Sequence, residues 1–262
     1  MSHKQPIAIF DSGIGGLTVV KALKEALPCE NILYLADNLR MPYGSRDRAS
    51  IAQFTNEALG FFQKQHVKLI IFACHTVSSV FSEHFSIPII NVIQGGIQAI
   101  GEIPACKKVA ILGTERTIQS GVYEKNIRLL YPQIEVYSVP CPKLAPMIES
   151  QDREIEKVVQ EYLKPIPSVD AILLACTHYP LIKPIFQQAI DIPILDSAEN
   201  TVREVKAFLS KENLLNASGS PQYQFFATET NFSEKASRIL GHPVRSTLVN
   251  LIEENSLSEY KE

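Results

Sequence analysis

Short apolar runs rich in β-branched residues recur along this chain of 262 residues, and helix-like stretches separate them. The runs span residues 7–10, 32–35, 69–73, 87–92, 109–112, 134–139, 171–175 and 192–195. Continuous hydrophobicity, as opposed to alternation with polar residues, is typical of strands that are buried on both faces. Stretches 18–27 and 118–130 carry helix signals, and each ends within two residues of a proline. The pattern therefore predicts an α/β fold in which helices cover parallel sheets.

The chain also resembles itself at an offset of just over 100 residues. The matches are IAI at 7–9 with VAI at 109–111, AC at 73–74 with AC at 175–176, Tyr34 with Tyr137, Pro28 with Pro132, and IP at 87–88 with IP at 192–193. The first two pairs share an offset of 102 residues, and the offset grows to 105 at the last pair. Landmarks in one order at nearly one offset predict two tandem α/β units.

The segment after the second unit begins with a linker at 213–220 that contains Ser, Asn and Gly. A strand at 223–227 and a helix at 233–240 are predicted next, and this tail could complete either unit. The acidic end, 251–262, is predicted to be a frayed helix.

Charge and hydropathy narrow the classes of partner. The formal net charge is −3, the pI is about 6.1 and the mean hydropathy is +0.03. These values give no basic surplus for binding nucleic acid, and no apolar run approaches the roughly 18 residues that span a bilayer. The start, MSHKQPIAIF, lacks the apolar core of a secretory signal. We therefore expect a cytoplasmic protein that binds neither nucleic acid nor membrane.

The cysteines indicate chemistry based on free thiols. Their number, five, is odd, and no CxxC pair or compact Cys/His spacing is present. This pattern argues against a disulfide framework, a thiol redox pair or a structural zinc site, so no metal is expected. Cys74 and Cys176 occupy equivalent positions at predicted strand ends, where α/β sheets bind ligands. The other three cysteines lack such a relation and are expected to pack inertly.

Two thiols on opposite faces of one carbon atom suit stereoinversion, because one removes a proton while the other delivers one. A free thiol titrates near about 8.5, so each cysteine needs tuning by a neighbour. The candidates are His178, Asp11 and Glu149. The loop FDSGIGGL at 10–17 follows the first strand, and its glycines let backbone N–H groups approach an anionic ligand or simply form a tight turn. Because the loop carries an aspartate, an amino acid suits it better than a nucleotide.

Several further motifs resemble the glutamate racemase family, whose members supply D-glutamate for bacterial peptidoglycan without a cofactor. They are FDSGIGGLTV at 10–19, PYG at 42–44, ACHT at 73–76, TERTIQSGVY at 114–123, CPKLAPMIE at 141–149 and ACTHYPL at 175–181. The combination of PYG with CTHYP separates this family from the aspartate and hydantoin racemases that share its fold.

The resemblance implies two tandem flavodoxin-like three-layer α/β/α domains with parallel sheets, related by pseudo-symmetry, with the active site between them. It divides the chain into 1–96 plus 213–262, which holds Cys74, and 97–212, which holds Cys176. It implies glutamate as the small-molecule substrate, no cofactor, and a homodimer as one form of the protein.

The family's catalytic residues correspond here to Cys74, acting on D-glutamate, and Cys176, acting on L-glutamate. Asp11 would assist Cys74, while Glu149 and His178 would assist Cys176. The implied substrate-binding positions are Asp11, Ser12, Pro42, Tyr43, Gly44, His75, Thr76, Thr114, Thr117, Thr177 and His178.

One departure from the family pattern matters most, since His75 stands where the family has asparagine. Histidine is bulkier than asparagine, adopts one tautomer and becomes cationic near neutral pH when its pKa is unperturbed. Two alternatives to full glutamate racemase activity therefore stay open: the same chemistry on another acidic amino acid, and a catalytically weakened member. A binding module with idle thiols is a third.

Overall fold

The computed structural model describes residues 2–252 and contains two sheets in which every strand pair is parallel. The strands are β1 (Ile7–Asp11), β2 (Ile32–Ala36), β3 (Leu69–Phe72), β4 (Ile89–Asn91), β5 (Lys108–Gly113), β6 (Glu135–Pro140), β7 (Ala171–Ala175), β8 (Ile194–Leu195), β9 (Tyr223–Ala227) and β10 (Ser246–Leu248). The first sheet has the order β10-β9-β2-β1-β3-β4, and the second has the order β6-β5-β7-β8. The tail thus completes the first sheet through β9 and β10.

Helices cover both faces of each sheet. They are α1 (Leu17–Ala26), α2 (Arg48–Lys64), α3 (His75–Val80), α4 (Val92–Gly101), α5 (Glu115–Gln119), α6 (Val122–Leu130), α7 (Leu144–Ser150), α8 (Ile155–Leu163), α9 (Lys183–Ala189), α10 (Ala198–Lys211) and α11 (Phe232–Leu240), with short 3-10 turns at Asn38–Arg40, Tyr43–Ser45 and Tyr179–Ile182. On β1, Ile7 and Ile9 face one apolar core, whereas Ala8 and Phe10 face another. The second sheet repeats this arrangement, so the predicted α/β/α layering is confirmed.

The internal repeat is visible in the strand order, because β2-β1-β3-β4 corresponds to β6-β5-β7-β8. The register agrees as well: Ile7 pairs with Leu69 and Val109 pairs with Ala171, so both partners shift by 102 residues. Tyr34 and Tyr137 are not equivalent, however. Tyr34 pairs with Ile9, but Tyr137 pairs with Ala110, one position out of step. A slip of one residue turns a side chain to the opposite face, so this landmark in the sequence is a coincidence.

The eight apolar runs became β1 to β8, although β3, β4 and β8 are shorter than predicted. The predicted helix at 118–130 is wrong, because the chain forms two helices there. Gly121 separates them in a left-handed conformation, with φ of +64°, and the Thr114 side chain accepts a hydrogen bond from the Thr117 backbone N–H at the start of α5. In the tail, β9 coincides with its prediction and α11 begins one residue early. The frayed helix predicted for 251–262 lies, from residue 253 on, outside the described residues.

Two helices bear on the predicted domain division. The boundary between residues 96 and 97 falls inside α4, and α10 precedes the boundary at 212. Apolar residues of α10 belong to the core of the first sheet: Ala198, Val202, Val205 and Leu209. The division into 1–96 plus 213–262 and 97–212 therefore stays a prediction. Expression of 97–212 alone, followed by a measurement of whether it unfolds cooperatively, tests it. The first half is the six-stranded sheet with the helices packed on it, and the second half is the four-stranded sheet with the helices packed on it.

Within residues 2–252, no helix is both long enough and apolar enough to cross a bilayer.

Candidate active site

A cavity of about 100 Å³ lies between the two sheets, where the carboxyl ends of their strands face each other. This volume is several times the roughly 10–15 Å³ that one water molecule needs, so the cavity has room for a small organic ligand. Most of the predicted site residues line it: Ser12, Pro42, Tyr43, Gly44, Cys74, His75, Thr76, Thr114, Cys176, Thr177 and His178. Asp11, Glu149 and Thr117 are buried around it instead. Wall residues that sequence reasoning missed are Met41, Ser45, Glu115, Pro142 and Ala145.

Cys176 follows β7 and has ionisable neighbours. Its Sγ lies 3.9 Å from Nδ1 of His178, whose Nε2 lies 3.0 Å from Oε1 of Glu149. Burial opposes a charge on His178, but its contacts with Cys176 and Glu149 outweigh burial and raise the pKa of His178 well above its usual value. Burial also opposes a charge on Glu149, yet hydrogen bonds from His178, Lys235 and the Ile14 backbone lower its pKa to about 2. A histidine cation therefore faces this thiol.

Cys74 occupies the matching place after β3 but has different neighbours. Its Sγ lies 3.6 Å from Oγ of Ser12. Burial, together with the negative charges of Asp11 and Cys176, raises the pKa of the Cys74 thiol to about 12, although hydrogen bonds from Val77 and Ser12 oppose the rise. Cys74 is therefore a protonated thiol in this structure.

Asp11, at the end of β1, is fully buried and joins the two halves. Its Oδ1 accepts a hydrogen bond from the Gly13 backbone at 2.9 Å, and its Oδ2 accepts one from the Thr177 hydroxyl at 2.9 Å. Burial raises the pKa of Asp11, while His178 and the hydrogen bonds act in the opposite direction. The hydrogen bonds of Asp11 thus go to its own loop and to the Cys176 side, and assistance to Cys74 stays a prediction.

Side chains of the second half contact the glycine loop that follows β1. A Cβ atom on Gly13 would lie 2.5 Å from Oε1 of Glu149, and one on Gly15 would lie 2.5 Å from Oγ1 of Thr177. The backbone N–H of Ile14 donates to Glu149 at 3.1 Å. The glycines therefore permit close approach of the two halves. The backbone N–H groups of Gly13 and Ile14 donate to carboxylates of the protein itself, those of Asp11 and Glu149.

The PYG segment makes a similar contact on the other side of the cavity. A Cβ atom on Gly44 would lie 2.6 Å from Cβ of Thr114. Tyr43 is buried, and its hydroxyl donates to Asp37. These two contacts hold residues 42–44, whose sequence is typical of an ordinary turn, in the wall of the cavity.

Hydroxyl groups connect the halves at this position as well. Oγ1 of Thr76 lies 2.9 Å from Oγ1 of Thr114, which lies 2.9 Å from Oγ1 of Thr117. Thr117 stands behind Thr114 and is 1% exposed. It is therefore placed to orient Thr114, whereas Thr76 and Thr114 face the cavity.

His75, which begins α3, differs from the expectation of a neutral-pH cation. Burial lowers the pKa of His75 to about 3, so the ring is neutral. Its Nε2 lies 3.4 Å from Oγ of Ser197, and its ring stacks on Tyr123 with 6.2 Å between centroids. Among the described residues, Nδ1 has no hydrogen-bond partner. His75 thus brings an uncharged ring with one unused nitrogen to the cavity.

All five cysteines are free thiols. Across residues 2–252, we find no group of three or more His, Cys, Asp or Glu side chains that could hold a metal ion. What the described residues do bring together is two thiols, a His–Glu pair and several hydroxyl donors around one cavity. This set is suited to moving protons at a small polar ligand.

Comparisons with known proteins show the family of this chain. A sequence model of the family described as Asp/Glu/Hydantoin racemase matches residues 15–205. Glutamate racemase 3 of Caldanaerobacter subterraneus subsp. tengcongensis is 35% identical over 258 residues, which cover 95% of each chain. The glutamate racemase of Streptococcus uberis is 41% identical over 216 residues, covering 79% of this chain and 82% of that one.

Solved structures show the same likeness in three dimensions. The glutamate racemase of Bacillus anthracis matches with a TM-score of 0.90 and 33% identity, covering 94% of this chain and 98% of that one. The glutamate racemase of Francisella tularensis subsp. tularensis, solved in complex with D-glutamate, matches with a TM-score of 0.89 and 34% identity, covering 96% and 99%. The resemblance predicted from the motifs is confirmed. The chain belongs to the Asp/Glu/Hydantoin racemase family, is grouped with its glutamate racemases, and is an amino-acid racemase, an isomerase.

Proposed function

We propose that this protein interconverts L-glutamate and D-glutamate with two cysteine bases and no cofactor. One observation carries the proposal: Cys74 and Cys176 line one cavity from equivalent strand ends of two sheets that repeat each other. A ligand held between the sheets presents its two faces to the two halves. The names of the relatives, and the D-glutamate in the Francisella tularensis structure, support glutamate as the substrate.

The reaction needs one proton transfer at each face of the Cα atom. With L-glutamate, the Cys176 thiolate takes the Cα proton, and the electron pair of the C–H bond stays on the substrate as a carbanion. The Cys74 thiol then delivers its proton to the opposite face and becomes a thiolate. With D-glutamate the two cysteines exchange roles. The His178 cation beside Cys176 and the protonated state of Cys74 support this starting arrangement for the L enantiomer.

Binding roles follow from which polar groups face the cavity. We propose that the hydroxyls of Ser12, Thr76, Thr114 and Thr177 and the backbone around Pro42, Tyr43 and Gly44 bind the substrate's carboxylates and ammonium group. Asp11 and Thr117 act from behind this wall, Asp11 through Thr177 and Thr117 through Thr114. Such groups bind an amino acid with hydrogen bonds that need little rearrangement, because the surrounding contacts already fix them.

Proton NMR in D2O tests the proposal, with each enantiomer supplied separately. We expect the Cα proton of both to be lost while the mixture becomes racemic. Exchange without inversion would contradict the two-base assignment. If neither enantiomer exchanges its Cα proton, glutamate is not the substrate.

Another acidic amino acid is the second candidate substrate, and His75 is the observation that favours it. Its neutral ring, with an unused Nδ1, replaces the smaller amide that the family pattern carries at this position. Assays of glutamate and aspartate side by side, at equal concentration, decide between them through the ratio of kcat/KM values.

In the cell we propose a cytoplasmic enzyme, active as a homodimer in one of its forms, that supplies D-glutamate for peptidoglycan. Depletion of the protein should then arrest growth, and D-glutamate in the medium should restore it. Light scattering of the purified protein measures the oligomeric state.

A further inference from the structure

Lys235 lies outside every motif that the sequence analysis used, yet it contacts the acid–base machinery. It belongs to α11, whose Phe232 and Ala236 are fully buried in the core of the first sheet. This packing fixes the helix to the first half. The Lys235 side chain is 23% exposed, and its Nζ lies 2.7 Å from Oε2 of Glu149.

Glu149 belongs to the other half, since it lies on α7 beside Ile148, which packs in the core of the second sheet. Its two oxygens have different partners. Oε2 accepts from Lys235, whereas Oε1 accepts from the Ile14 backbone and lies 3.0 Å from Nε2 of His178. Two of these three contacts therefore come from the first half, and only His178 comes from Glu149's own half.

We infer that Lys235 is a positioning residue for the Cys176 side of the reaction: it holds Glu149 in the orientation that pairs with His178, and it does so only while the two halves are closed on each other. This inference rests on the proposed function, in which His178 and Glu149 serve Cys176. Separation of the halves removes Lys235 and Ile14 from Glu149 together. The carboxylate is then free to turn away from His178.

Burial makes this arrangement sensitive to the loss of one donor. Glu149 is 7% exposed, and a buried carboxylate is stable only when hydrogen-bond donors compensate for lost hydration. Without the Lys235 ammonium group, Oε2 would lack its donor, and Glu149 would reorient towards solvent or take up a proton. Either response weakens the contact that holds the His178 ring beside the Cys176 thiol.

The experiment compares Lys235→Met with Arg238→Met as its matched control. Arg238 lies one turn further along α11 and pairs with Glu234 of the same helix, so its loss also removes a cation from this surface. We expect kcat/KM to fall about tenfold in Lys235→Met, as for one partner of a hydrogen-bonded network, and to stay near wild type in Arg238→Met. Lys235→Arg should retain most of the activity, because it keeps the charge.

Isotope effects separate positioning from general damage to the structure. The two enantiomers have equal free energy, so any variant lowers kcat/KM equally in both directions, and rates alone do not show which side is impaired. If Lys235 serves Cys176, proton transfer at Cys176 becomes more rate-limiting in Lys235→Met. The deuterium isotope effect should then grow for Cα-deuterated L-glutamate and shrink for Cα-deuterated D-glutamate. Equal isotope effects in variant and wild type would overturn the inference.

A second measurement does not depend on turnover. Iodoacetamide alkylates thiolates, and mass spectrometry gives the separate rates for Cys176 and Cys74. We expect the ratio of the Cys176 rate to the Cys74 rate to fall in Lys235→Met, and an unchanged ratio would overturn the inference even if the wild type does not racemise glutamate. If Lys235→Met does not fold, Lys235→Gln replaces it in this measurement. Because glutamine keeps a hydrogen-bond donor, we expect a smaller fall in the ratio of the two alkylation rates.

Discussion

The two cysteines occupy equivalent positions in repeated sheets, but their surroundings differ. Cys176 faces the cationic ring of His178, which pairs with Glu149, and Glu149 pairs in turn with Lys235. Cys74 contacts the Ser12 hydroxyl, and the neighbouring negative charges work against its ionisation. Repetition of the fold therefore explains where the thiols are, whereas the residues around them give each thiol different neighbours.

This inequality suits a reaction whose two directions have equal equilibrium free energy. In the proposed reaction one thiol begins as a base and the other as an acid, and identical surroundings would leave both in the same state. The raised pKa of His178 beside Cys176 and the raised pKa of the buried Cys74 thiol give the two sides of the cavity different electrostatics. Substitutions on either side of the cavity test this difference.

Removal of either thiol should stop inversion. We expect Cys74→Ser and Cys176→Ser each to lower racemisation about 10³-fold or more, within the range that a general acid or base contributes. The comparison is sharpened by D2O exchange, since Cys176→Ser should still exchange the Cα proton of D-glutamate through Cys74. Cys29→Ser, a half-buried thiol outside the cavity, is the control. Full racemisation by either serine variant in the cavity would break the two-base assignment.

Glu149→Gln should lower activity on the order of a hundredfold and change its pH dependence. The Glu149 carboxylate helps to raise the pKa of His178, so an amide in its place lowers that pKa. The protonated ring is then lost at lower pH, and we expect the alkaline limb of the rate profile to move to lower pH. A limb that stays in place would show that His178 does not govern it. The measurement is kcat/KM from pH 6 to 10 for the wild type and the variant.

His75→Asn should change activity by less than about tenfold, because it exchanges one neutral polar group for another. Since burial keeps the pKa of His75 at about 3, we expect no change in the shape of the rate profile between pH 5 and 8. Loss of a titration near pH 6.5 in the variant would contradict the neutral ring. The ratio of kcat/KM for glutamate and aspartate, measured in the same experiment, shows whether this side of the cavity sets the choice of substrate.

Ser12→Ala should have the smallest effect, a decrease of about threefold that corresponds to one hydrogen bond. The expected cause is loss of the contact with the Cys74 sulfur, which stabilises its thiolate. Alkylation of Cys74 should slow while that of Cys176 stays constant. If both rates change together, Ser12 acts on the cavity as a whole and not on one thiol.

Much of the fold could be predicted because the strands are buried on both faces and so read as unbroken apolar runs. β10 escaped this reasoning, since its three residues, Ser246 to Leu248, are partly exposed at the sheet edge. The break at Gly121 was hidden by helical periodicity on either side of it. Packing of α10 against the first sheet depends on tertiary contacts that no local pattern records.

The site shows a similar division. The thiols could be found from the repeat, and most of the wall residues from the motifs. The contacts of Asp11 with Thr177 and of Glu149 with Ile14 could not, because they cross between the two halves and join residues far apart in the sequence. Lys235 lies on an ordinary amphipathic helix, where a lysine is typical of a solvated face, so no signal in the sequence distinguishes it.

The glycines at 13, 15 and 44 have a further, mechanical consequence. Each stands where the backbone of the first half touches a side chain of the second, so an added Cβ atom would force that side chain or the two halves apart. These backbone contacts therefore limit how closely the two halves approach each other. A single methyl group at one of these positions would act as a wedge. Because the side chains that it would meet at Gly15 and Gly44, Thr177 and Thr114, also line the cavity, it would change the shape of the cavity together with its width.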